Sequence, residues 1–177
     1  MRFEPDYPSN SESTAPDEYG LGRILVHLNE TLSRDALVQQ TTDALRVSLQ
    51  VDRVALYYFY RHWEGQVTFE SLSANEFSIF GSTGPDQCFN DEYAALYRSG
   101  RIRAIADIEA EPIHECHREF LRTMQVRANL VAPILTSQGL WGLLVAHHCR
   151  SVHSWSASDI DLIRTAAQTI ATAPSIR

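Results

Sequence analysis

Apolar positions recur every three or four residues towards both ends of this chain and every second residue in stretches between them. From Tyr19, the residues Leu21, Ile24, Leu25, Leu28 and Leu32 make one stripe at i, i+3, i+4, i+7 spacing, which predicts a helix. Ser33 then reads as the N-cap of a second helix, with Leu37, Thr41, Ala44, Leu45 and Leu49 on its buried side. Arg53–Tyr60 is rich in aromatic and β-favouring residues. The turn Trp63-Glu64-Gly65 and the segment 66–71 follow it, which predicts a β-hairpin.

The middle of the chain is less regular. Residues 72–89 form a long connection carrying Gly81, Gly84 and Pro85, and loops of that length inside a domain are usually functional or mobile. Asp91–Ser99 predicts a short helix ending at Gly100, and a further helix near 113–124 carries the stripe Ile113, Cys116, His117, Phe120, Leu121, Met124. Strands 128–135 and 139–149 follow, joined by the turn Thr136-Ser137-Gln138-Gly139. A last amphipathic helix starts near Ser158 and buries Ile160, Ile163, Ala167 and Ile170. This order predicts an α+β domain over 18–177, an antiparallel sheet flanked by helices, with the N- and C-terminal helices packed together. Residues 1–17 hold three of the seven prolines and no apolar period, and are expected to be a flexible leader.

Composition narrows the chemistry. With 15 Lys+Arg against 22 Asp+Glu, the net charge of -7 argues against a nucleic-acid or anionic-membrane surface. All the basic residues are Arg, so neither a Walker A lysine nor a lysine Schiff base can be present. No apolar run approaches the roughly 20 residues of a membrane helix, and no signal-peptide pattern opens the chain. A cytoplasmic protein without membrane insertion is expected. Cys88, Cys116 and Cys149 are too widely and irregularly spaced for a zinc or C-x-x-C redox site, and reduced thiols are the simplest expectation.

Several residues could carry chemistry. Cys116 and His117 share a helix face with Phe120, Leu121 and Met124, either as core residues or as a thiol and an imidazole lining one pocket. Strict alternation puts Trp141, Leu143, Val145, His147 and Cys149 on one face of the last strand and Leu140, Leu144, Ala146 and His148 on the other. Arg101 and Arg103 flank Ile102. They are either a solvated face or two convergent guanidiniums suited to a ligand with two carboxylates. Asp86 follows Pro85 and could be a turn residue.

Taken together, the segments 69–89, 113–135 and 140–149 resemble the bilin-binding GAF domains of cyanobacteriochromes, which belong to the phytochrome superfamily of photoreceptors. Asp86-Gln87-Cys88-Phe89 matches the Asp-x-Cys-Phe motif of the two-cysteine subgroup, and Cys116-His117 matches the chromophore-attachment pair. The resemblance spans about residues 19–173. It implies a GAF fold and a covalent linear tetrapyrrole, phycocyanobilin or its isomer phycoviolobilin. It implies a thioether at Cys116, packing by His117, a reversible second thioether at Cys88, pyrrole N–H groups on Asp86, a propionate on Arg101 and His147 near the D ring. The implied function is a non-enzymatic photoreceptor that converts between a blue-absorbing and a longer-wavelength state. A downstream output domain or signalling partner is then expected, and a homodimer through the terminal helices is left open. Two alternatives are a GAF domain binding a small metabolite such as a cyclic nucleotide, and a GAF-type thiol reductase.

Overall fold

In the computed structural model the residues described are 18–61, 64–84 and 91–176. The predicted leader lies outside them. Helix α1 (Glu18–Leu49) leads into the hairpin β1 (Arg53–Arg61) and β2 (Glu64–Leu72). A 3-10 turn, Asn75–Phe77, lies in the connection that follows, and α2 (Asp91–Arg98) and the short β3 (Arg103–Ile105) come next. Helix α3 (Glu115–Thr123), the hairpin β4 (Ala128–Thr136) and β5 (Gly139–His148), and α4 (Ala157–Ala171) complete the chain.

The five strands form one antiparallel sheet in the order β2-β1-β5-β4-β3. β1 and β5 are at the centre and approach closely: a Cβ on Gly142 would lie 2.7 Å from the Tyr57 carbonyl oxygen. One sheet face carries the main core. Leu144 and Ala146 of β5 and Leu130, Ala132 and Ile134 of β4 meet Val38, Leu45 and Leu49 of α1 and Ile163, Ala167 and Ile170 of α4. The terminal helices therefore pack together, as expected. Ser156 caps α4 in a reciprocal capping box with Asp159, one residue pair earlier than the expected start near Ser158.

Two sequence expectations are corrected. Ser33 caps nothing, because α1 runs unbroken through it for 32 residues. Serine costs little inside a helix, and what changes there is the environment. Leu21, Ile24, Leu25, Leu28 and Leu32 are all more than half exposed, whereas Val38, Thr42, Leu45 and Leu49 are buried against the sheet, and Ala44 points to solvent. The second correction concerns β5. Ile134 pairs with Gly142 and Leu135 with Leu140, which leaves Trp141 as an extra, bulged residue. A bulge reverses the alternation beyond it, so Trp141 packs on the helix-covered core and Leu140 on the opposite face.

Candidate functional site

The second face of the sheet is not closed by a packed helix layer. It floors a cavity of about 490 Å³ beneath α2, α3 and the connection after β2. Its walls are largely apolar and aromatic, with Tyr57, Phe59, Leu143 and Val145 from the sheet and Phe120, Leu121 and Met124 from α3. The amphipathic period of α3 aims this row inward. His114 caps the helix by accepting a hydrogen bond from the Cys116 amide (3.2 Å), so it stands outside the helix that carries Cys116 and His117.

Three of the six expected site residues converge here. His117, Arg101 and His147 all line the cavity. Burial, and then the positive charge of Arg103, lowers the His117 pKa from its usual value, so the ring is neutral at pH 7. Tyr93 of α2 stacks on it at 6.3 Å between ring centroids. Arg101 precedes β3 while Arg103 lies within it, yet both guanidiniums reach the cavity lining. Arg103 is already tied to Glu111 at 2.8 Å, which leaves Arg101 as the cation better placed for a ligand anion. Tyr97 also lines the cavity, and burial pushes its phenol up to about 12.

Cys116 is half-buried on the first turn of α3, beside His117, and does not itself form part of the described lining. Cys149 is the free cysteine of the described residues. Asp86 and Cys88 fall outside the described residues. The connection leading towards them is anchored over the cavity. Tyr57 Oη donates to the Gly65 carbonyl (2.8 Å) and accepts from the Gly84 amide (2.7 Å), and Thr83 bridges to Gln66 on the free edge of β2.

Sequence reasoning missed a polar row across the cavity floor. Arg53 of β1 is paired in register with His147 of β5, and His147 with Asn129 of β4, so the three side chains share one face. All three are buried, Arg53 completely. Burial first, then the Arg53 charge, holds the His147 pKa well below its usual value. The Asn129 carboxamide oxygen is buried with no hydrogen-bond partner among the described residues, an acceptor facing unmet demand. The available signal was weak: an arginine opening an apolar, aromatic strand reads as a solvated strand end.

Residues 33–173 match the GAF domain family. The chain is a GAF domain. This GAF domain is 55% identical over 151 residues to an uncharacterised protein of Picosynechococcus sp., a match covering 85% of this chain and 93% of that one. It is 36% identical over 142 residues to a putative methyl-accepting chemotaxis protein of Synechocystis sp., covering 80% of this chain but only 14% of the relative. Among solved structures it resembles the blue-light absorbing form of the Thermosynechococcus elongatus PixJ GAF domain, with 33% identity and a TM-score of 0.73 over 81% of this chain and 88% of that one. A phycocyanobilin-bound GAF domain from a cyanobacterial phytochrome matches with 28% identity and a TM-score of 0.72, covering 89% of this chain and 93% of the other. The fold expectation thus holds, and these solved relatives are cyanobacteriochrome and phytochrome GAF domains.

Proposed function

We propose that this GAF domain is a photosensory module that holds a linear tetrapyrrole, phycocyanobilin or phycoviolobilin, covalently through Cys116. The observation that carries this reading is the chemistry gathered in one cavity. Apolar and aromatic walls suit a flat conjugated body, Arg101 suits a propionate, and the orphaned Asn129 oxygen suits an N–H donor. When bound, the tetrapyrrole supplies visible-light absorption, Z/E isomerisation beside its D ring and a conjugated system that a second thiol can interrupt.

This chain's residues would then divide the work. Cys116 supplies the attaching thiolate, and neutral His117 packs against the ligand from the next position on α3. His147 meets the D-ring end. Cys88 and Asp86 take the reversible second thioether and the pyrrole N–H groups. No turnover of a substrate is required of the protein, which acts as a sensor. Val145 and His147 line the cavity while Leu144 and Ala146 of the same strand lie under the terminal helices, so movement in the cavity has a short route to α4 and to an output partner.

The test is an absorption spectrum of the chain produced alongside a bilin-synthesis pathway, before and after blue light, with zinc-enhanced fluorescence on a denaturing gel. A covalent pigment that switches reversibly from blue to longer wavelength is expected. A colourless protein would overturn the reading.

A further inference from the structure

Arg53 is the one fully buried charged side chain among the described residues, and no described carboxylate pairs with it. Its donors are spent on three parts of the fold. Nε and Nη2 both contact Nδ1 of His147, at 3.0 and 2.9 Å. Nη2 also donates to the Met124 carbonyl at the C-terminal end of α3 (2.9 Å), and Nη1 donates to the Phe77 carbonyl in the 3-10 turn. A guanidinium has donors only, so Nδ1 of His147 must be an acceptor and the ring proton must sit on Nε2. His147 lines the cavity, and Nε2 is on the side of the ring turned away from Arg53.

We infer that Arg53 is a positioning residue that locks His147 as a neutral Nε2–H donor, so that this end of the cavity selects a ligand carbonyl or other acceptor and rejects a ligand donor. The other end-group on the same row, the Asn129 oxygen, supplies the complementary acceptor. A donor and an acceptor directly paired on adjacent strands fit a cyclic amide, which carries C=O and N–H side by side. The match to the terminal lactam ring of a tetrapyrrole rests on the function proposed above; the assignment of the His147 proton does not. A second proton on His147 would aim an N–H at the guanidinium, so acid should not readily charge this ring. The charges around Arg53 itself, Asp52, Glu70 and the Cys149 thiol, act on the guanidinium and leave Nδ1 facing donors alone.

The experiment is nitrogen-15 NMR of histidine-labelled, pigment-free chain from pH 8 to pH 5, in the wild type and in Arg53→Lys and Arg53→Met. The wild type is expected to show His147 as a single Nε2–H tautomer that stays neutral down to pH 5. Arg53→Lys, which keeps a donor, should retain that tautomer. Arg53→Met should give a tautomer mixture and a midpoint raised by about one pH unit or more. An Nδ1–H tautomer in the wild type, or its charging near pH 6.5, would overturn the inference. So would an unchanged tautomer and midpoint in Arg53→Met. If Arg53→Met does not fold, the wild-type tautomer alone decides. A colourless protein with the expected tautomer would sink the tetrapyrrole reading and leave the Arg53 assignment standing.

Discussion

On β5, Leu144 and Ala146 face the terminal helices, while Val145 and His147, one residue out of phase, face the cavity. The first pair closes into a core in which nearly every neighbour is apolar, and β5 is bound on both sides by ladder hydrogen bonds. The second pair borders a space held open by groups that cannot collapse onto it cheaply: Arg101, Arg103, His117 and the row Arg53–His147–Asn129. Buried polar groups weaken a fold unless they are satisfied, and here Arg53 is satisfied by carbonyls and a ring nitrogen whereas the Asn129 oxygen is not. One strand thus serves stability on one side and ligand chemistry on the other.

Substitutions and a change of pH probe that division, from the largest effect down. Cys116→Ala is expected to remove covalent pigment completely while the far-ultraviolet circular dichroism stays unchanged; a full complement of gel-resistant zinc fluorescence would break the attachment claim. Leu144→Ala, in the closed core, is expected to cost roughly 2–5 kcal/mol in denaturant unfolding. Val145→Ala, one position along, should cost roughly half as much or less, because its side chain borders open space. Equal losses would mean that the two faces are packed alike.

The smallest effect is expected from pH. His117 and His147 both have folded pKa values below the ordinary 6.5, each mainly through burial. The unfolded chain therefore binds more protons near pH 6, so their contribution to stability is complete above pH 6.5 and is lost as pH falls below it. Denaturation midpoints at pH 7.5, 6.5 and 5.5 should fall in that order, and His117→Gln should flatten the slope. A midpoint that rises on acidification would contradict the burial of both rings.

Much of this was legible in the chain. Period-two alternation separated Leu143, Val145 and His147 from Leu144 and Ala146, and the period of α3 aimed His117, Phe120 and Met124 inward, because burial on one face leaves a pattern. The failures have physical causes. Trp141 was assigned to the wrong face because the bulge is set by the pairing of Leu140 with Leu135 and of Gly142 with Ile134, which no local pattern records. The supposed break at Ser33 mistook a helix leaving the sheet for a helix ending. Arg53, Asn129 and Tyr57 escaped notice because their roles depend on partners far away in sequence: Met124, His147 and Gly84.

The first half of α1 has a consequence for how the domain can be wired to others. Residues 18–32 carry helix on past the last contacts with the sheet, and at 1.5 Å per residue they extend it by about 20 Å. A rigid rod of this kind fixes azimuth as well as distance. Whatever is fused ahead of Glu18 through continuous helix is turned by about 100° for each residue inserted or removed, and comes back within about 20° after seven. Chimeras built on this domain should therefore signal in a seven-residue rhythm of linker length.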